Sequence, residues 1–329
     1  MTGASVVICV FTQERWTDLA AAIAAVSEQS VRPVELIVVV DHNPELHTRV
    51  VAELQPVYGE WLQPLQNDGP AGVSGARNVG VSKALGDVII FLDDDAIPEP
   101  EWLSRLVEPF SDPKVVITGG RARAQWPGER PRWFPEEFDW VVGCSYRGLP
   151  EQRSVVRNVL GASMATRRSV FETVGTFTDW VGRSSSFQMG CEETELCIRA
   201  TQVLPEARIV YVPDSVVRHR VGVPRTRTSY FAKRCVAEGR SKAQISALVG
   251  ADLATSSERT YVVRTLSRGV LRGFVDAVRG DASGLTRAGA IVVGLALTAA
   301  AYAWGLCEQA VTSGSAHRAA ASRRTTRST

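Results

Sequence analysis

Charge of one sign is what this 329-residue chain most plainly lacks: 37 Lys and Arg stand against 35 Asp and Glu, for a formal net charge of +2. Such a balance offers nucleic acid no field to bind, and no nucleic-acid partner is expected. The six cysteines (Cys9, Cys144, Cys191, Cys197, Cys235 and Cys307) form no CxxC pair and no even spacing. That argues against a disulfide framework and for free thiols in a reducing cytoplasm. The N-terminus has no charged segment followed by an apolar one and enters a strand pattern at once, so no signal peptide is expected. The loop after that first strand, Thr12-Gln13-Glu14-Arg15, contains no glycine, against a glycine-rich phosphate loop at this point. With 45% apolar and 22% charged residues, the rest is ordinary globular material, enough for one large domain and an appendage.

What is present is organised around Val88-Ile89-Ile90-Phe91-Leu92-Asp93-Asp94-Asp95, a short apolar run ending in three adjacent carboxylates. The run is too short for a buried helix and rich in β-branched residues, which predicts a buried strand of a parallel sheet. Three like charges repel one another unless water or a cation neutralises them, and Mg²⁺ or Mn²⁺ suits hard oxygen ligands. Open α/β sheets also place ligands at the carboxyl ends of their strands. A solvated acidic turn ahead of a helix at Glu101–Val107 is the competing reading.

The chain around this run reads as α/β. Ser5–Phe11 is a strand, Leu19–Ser27 a helix and Glu35–Asp41 a second strand ending in a carboxylate, which together make a right-handed βαβ unit. Leu46–Leu54 is predicted helical, as is the segment opened by Gly75-Ala76-Arg77-Asn78-Val79-Gly80 and closed at Gly86. An Arg and an Asn there, facing acidic strand ends, suit phosphate, although such glycines also make plain turns. Val115–Gly120 is a further strand. Between Arg121 and Arg157, Trp126, Trp133, Phe134, Phe138, Trp140 and Tyr146 lie amid Pro and Gly and either pack over the sheet or wall a ring-shaped ligand. Gly161–Arg168 is a short strand leading into a helix. Glu192 and Glu193 open another helix, where the positive end favours their charge with or without a functional role. Arg208–Pro213 is the last strand, and His219 follows it between two arginines, open to reading as a ligand or a surface residue.

Beyond Pro224 the pattern is helical and basic. Ala288–Leu306 carries no charge and would be about 28 Å long as a helix, at the short end of what spans a bilayer. Arg279 and Arg287 precede it and a tail with His317, Arg318, Arg323, Arg324 and Arg327 follows, so a single span would leave one basic flank on the unfavoured side. Spanning, lying in the interface and packing on the domain all remain open. Composition predicts disorder for 311–329.

Taken in order, Thr12–Arg15, Asp41, Gly75–Gly80, Phe91–Asp95, Gly161-Ala162-Ser163-Met164 and Gly190–Leu196 resemble the family 2 glycosyltransferases, inverting enzymes of the GT-A fold. The resemblance covers about residues 5 to 222. It implies a mostly parallel central sheet flanked by helices, with a catalytic domain at 1–224, a helical region at 225–310 and a membrane-associated helix at 288–306. It further implies a nucleotide-sugar donor, UDP-sugars ahead of GDP- or dTDP-sugars, and Mn²⁺ or Mg²⁺ as cofactor. Asp41 would contact the base, with Thr12, Glu14 and Arg15 beside the nucleotide. Arg77 would lie near the phosphates, Asp93 and Asp94 at the ribose, and Gly161 and Ala162 at the sugar. Asp95 and His219 would ligate the metal, and Glu193 or Glu192 would be the base. The family usually has Asn at Ser163 and often Glu-Asp at Glu192-Glu193. The basic helices beside the candidate membrane segment point to a lipid-linked or cell-envelope glycan acceptor at the inner face of the cell membrane, with a soluble small-molecule acceptor as the alternative. A sugar-1-phosphate nucleotidylyltransferase and a catalytically silent membrane-associated scaffold are the competing functions.

Overall fold

The computed structural model describes residues 3–179, 190–250 and 259–325, the last helix by its backbone alone beyond Gln309. The basic side chains of the tail therefore lie outside the described residues. One nine-stranded sheet organises the chain in the order β3-β2-β1-β4-β8-β6-β9-β5, with β7 pairing β9 off that path. The strands are β1 (Ala4–Val10), β2 (Glu35–Asp41), β3 (Leu62–Asn67), β4 (Val88–Asp93), β5 (Ala96–Pro98), β6 (Val115–Gln125), β7 (Ser154–Val155), β8 (Ser163–Arg167) and β9 (Arg208–Arg220). Helices are α1 (Trp16–Ser27), α2 (Pro44–Arg49), α3 (Gln55–Tyr58), α4 (Val73–Lys83), α5 (Trp102–Val107), α6 (Arg168–Val174), α7 (Glu192–Val203), α8 (Thr228–Val249), α9 (Ser267–Val278) and α10 (Ser283–Thr325).

The half from β3 to β4 is parallel throughout. Its strands are apolar runs because both faces are covered: Val6, Ile8 and Ile90 pack under α1 and α5, and Val7, Ile89 and Phe91 pack under α4 and α6. Beyond β4 the expected parallel pattern changes. β8 runs antiparallel to both β4 and β6, and β5 runs antiparallel to β9, while β6 and β9 pair in parallel. The short turn of Asp94 and Asp95 leads from β4 straight into β5, which lies at the far edge of the sheet against β9.

Tertiary packing also decides the aromatic insert. Phe134 and Phe138 are fully buried with Phe231 of α8, Leu266 and Ile291 of α10, with Trp126, Trp133 and Trp140 around them, so the insert joins the sheet domain to the C-terminal helices. Among the described residues one helix, Ser283–Gln309 within α10, is long and apolar enough to cross a membrane. The backbone of α10 continues to Thr325, through the stretch from 311 where an irregular tail is expected; Ala and Arg there are strong helix formers.

Candidate active site

The carboxyl ends of β1, β2 and β4 converge with the start of α7 and the end of β9. β4 delivers Asp93 at its last position, and the turn that follows buries Asp94 and Asp95. β5 then pairs Ala96 with His219 of β9, and this register seats the imidazole over the acidic turn. His219 Nε2 lies 3.2 Å from Asp95 Oδ1 and 3.5 Å from Asp93 Oδ2. One ligand atom from each of Asp93, Asp95 and His219 falls within 4.8 Å of the others. Two carboxylates and an imidazole make a donor set that fits Mn²⁺ or Mg²⁺. The chain's own cations crowd the same oxygens. Arg15, on the turn after β1, reaches Asp94 Oδ1 at 2.6 Å and Asp95 Oδ2 at 3.2 Å, and Arg225, just past β9, reaches Asp95 Oδ2 at 3.4 Å.

Protonation follows these contacts. Burial pushes the Asp94 carboxyl up to about 7; Arg15 opposes this, and the charges of Asp95 and Asp93 add to it. Burial, the largest single influence, would lower His219, but the Asp95 charge together with Cys144 and the hydrogen bond to Asp93 overcomes it and holds the imidazole's pKa well above its ordinary value. Cys9, across from Asp93 on β1, is pushed up to about 12 by burial, so it is a neutral thiol and no nucleophile.

A second cluster stands on Arg77. Its guanidinium, buried on α4, bonds Glu192 Oε1 at 3.0 Å and the Gly161 carbonyl at 3.3 Å and lies 3.6 Å from Asp93 Oδ1. Phe91 and Phe177 flank it at 5.6 and 5.5 Å from their ring centroids. A Cβ at Gly161 would sit 2.7 Å from Arg77 Nη2, so only glycine lets the guanidinium in. Glu192 is buried, with Oε2 lacking a hydrogen-bond partner, while Glu193 beside it is half-buried and its charge also acts on Arg77. The residue before them, Cys191, adopts φ +79°, a conformation that costs a non-glycine residue energy and is kept where a site needs it.

The remaining expected residues divide. Asp41 sits at the end of β2, where Oδ1 accepts from Asn67 Nδ2 at 2.6 Å and Oδ2 from the Gly72 N–H at 2.9 Å. Ala162 lends its carbonyl to the Asp93 N–H. Ser163 and Met164 are fully buried, and the Ser163 hydroxyl accepts from the Trp102 indole at 2.8 Å, which makes that segment core. Thr12 caps its own turn by accepting from the Glu14 N–H, and Glu14 is exposed. Asn67 and Arg225 are the residues that sequence reasoning missed. Asn67 ends a strand whose Gln and Pro hide its periodicity, and Arg225 reads as one of many arginines in a basic stretch.

The family model described as Glycosyl transferase family 2 matches residues 5–175. Glucosyl-dolichyl phosphate glucuronosyltransferase of Haloferax volcanii is 34% identical over 239 residues, covering 72% of this chain and 75% of that protein. Glycosyltransferase AglE of the same organism is 28% identical over 141 residues, 43% of this chain and 45% of that protein. Among solved structures, the mannosyltransferase PcManGT from Pyrobaculum calidifontis in complex with GDP-Man and Mn²⁺ matches with a TM-score of 0.56 at 16% identity, covering 89% of this chain and 86% of that one. The crystal structure of GalNAc-T7 with UDP, GalNAc and Mn²⁺ matches with a TM-score of 0.53 at 17% identity, covering 85% of this chain and 58% of that one. At such identities the likeness is one of fold, and that fold is GT-A.

Proposed function

This chain belongs to glycosyl transferase family 2, and from that premise we propose that it moves a sugar, with inversion, from a nucleoside diphosphate sugar to a hydroxyl of a lipid-linked glycan. The observation that carries the reading is the juxtaposition of two carboxylate sets across Arg77: the Asp93, Asp95 and His219 cluster on one side and Glu192 with Glu193 on the other. Asp93, Asp95 and His219 would hold Mn²⁺ or Mg²⁺, which when bound supplies a Lewis acid that neutralises the departing diphosphate. Arg15 and Arg225, now on the aspartates, are the side chains able to turn toward phosphate oxygens.

Glu193 is assigned as general base. Glu192 is committed to Arg77 and buried, whereas Glu193 is half-buried and one position further along the same helical turn. It takes the proton of the acceptor hydroxyl as the new C–O bond forms, and the C–O bond to phosphate breaks with its electron pair leaving on the diphosphate. Asp41 shares Oδ1 with Asn67 Nδ2 and His42 Nδ1 and Oδ2 with the Gly72 N–H, which leaves a lone pair on Oδ2 to accept from the ring N–H of uracil, thymine or guanine. UDP-sugars come first among donors, then GDP- and dTDP-sugars.

The name of the Haloferax volcanii relative supports an acceptor on a lipid phosphate, and helix α10 supports a place at a membrane, which in this reading is its cytoplasmic face. Residues 1–224 form the catalytic part of this reading and 225–310 the helical part. A melting-temperature screen of UDP-, GDP- and dTDP-sugars with and without Mn²⁺ tests it, because a ligand that binds only the native state raises the midpoint. One donor class should stabilise the protein in a metal-dependent way and be transferred to a short isoprenoid phosphate sugar. No stabilisation and no turnover with any donor would overturn the proposal.

A further inference from the structure

We propose that α9 and α10 attach the protein in plane to a bilayer surface bearing anionic headgroups, without crossing it. α9 exposes Leu271, Phe274, Val275 and Val278, spaced as one helical face, with Val278 90% exposed. α10 continues this with Leu285, Val292, Val293 and Trp304, the last 71% exposed. Within the apolar window of α10 only 22% is buried, which a core helix of a soluble domain would not show.

The other side of each helix is tied down by close approach. A Cβ at Gly273 of α9 would meet the Gly284 carbonyl at 2.4 Å, and one at Gly294 of α10 would meet the Phe138 ring at 2.5 Å. Gly305 is pressed on Ala243 of α8 in the same way. This contact excludes a span. α8 runs alongside α10 carrying the ion pairs Arg240–Glu308 and Lys242–Glu238, and Phe138 belongs to the aromatic insert of the sheet domain. Putting α10 across the hydrocarbon would take α8 and its charges with it, and ionised side chains do not face lipid tails. Lying flat costs none of this.

Charge selects the occupant. Arg264, Arg268 and Arg279 are exposed beside the apolar residues of α9. Asp276 and Asp281, the acids within α9 and just after it, are both paired with Arg287. An apolar face rimmed by arginine complements anionic lipid, whereas a second copy of the same face would bring like charges together. This deepens the membrane-borne acceptor proposed above, but vesicle binding can be read without turnover, so either can fail alone.

The test is co-sedimentation of the full chain with phosphatidylcholine vesicles and with vesicles containing phosphatidylglycerol, followed by carbonate extraction of the protein from cell membranes. Binding should be at least about tenfold tighter to the anionic vesicles, weaken with salt, and be released by carbonate. Phe274→Asp with Val278→Asp should abolish it while melting temperature and donor hydrolysis persist, and Arg264→Glu with Arg268→Glu gives an independent variant should the first fail to fold. Carbonate-resistant protein would mean a span, a concentration-dependent dimer lost in Phe274→Asp would assign the face to a second copy, and absent vesicle binding would leave no lipid role. Each of these results overturns the proposal.

Discussion

Two carboxylate clusters face one another across Arg77, and they are neutralised in opposite ways. Around Asp94 and Asp95 the counter-charges are shared and replaceable: Arg15, Arg225 and His219 divide a few oxygens among them, and the Arg15 side chain is still 28% exposed. Around Glu192 a single guanidinium, 5% exposed and seated against a pair of phenylalanine rings that touch each other, holds the glutamate, the Gly161 carbonyl and the flank of Asp93. The first arrangement can exchange its cations for a metal ion. The second cannot give up its partner without leaving a charge stranded in low dielectric. The proposed transfer, which must bind and release a diphosphate on one side and keep a base aligned on the other, would use both kinds.

The contrast can be broken most decisively at the glutamates. Glu193→Gln should lower turnover by about 10²- to 10⁴-fold, as loss of a general base does, while donor and Mn²⁺ binding persist in calorimetry. If Glu192→Gln produced that pattern instead, with an unchanged melting temperature, the roles would be reversed. Arg77→Met strands Glu192 and should cost about 3–5 kcal/mol in denaturant unfolding, with part of it recovered when Glu192→Gln is added. On the aspartate side, Asp95→Asn should weaken Mn²⁺ by more than the roughly 10- to 100-fold typical of outer-shell changes, as read by calorimetry. A pH series sharpens the same point with the smallest effect. The carboxylates beside His219 hold it protonated, and a metal takes the neutral imidazole, so metal binding expels a proton; Mn²⁺ affinity should still be rising with pH above the ordinary imidazole range. A flat profile would mean that these groups do not meet the ion.

Legibility followed burial. β1, β2 and β4 are covered on both faces, so Val6–Val10, Leu36–Val40 and Val88–Leu92 are unbroken apolar runs that can be read directly. The acidic turn, Arg77, Glu192 and His219 were recognisable as charges at strand and helix ends. β3 was not, because Gln63, Pro64 and Gln66 interrupt it at the sheet edge, and with it went Asn67, which orients Asp41. β5 is three residues long, too short for any periodicity, yet its pairing is what puts His219 on Asp95. Nor does a local pattern reveal that Arg225 doubles back across Pro224 to the acidic turn, or that Phe134 and Phe138 anchor helices more than a hundred positions later. Those are consequences of tertiary packing.

The bridge between Ala96 and His219 also bears on how the protein comes into being. During synthesis the four strands of the parallel half all emerge by Asp93, ahead of the rest of the sheet. The cation-binding triad cannot exist until β9 has emerged and threaded between β6 and β5. If these three side chains hold Mn²⁺ as proposed, its capture by a nascent chain would report the completion of the sheet, and truncations ending before His219 should collapse without acquiring it.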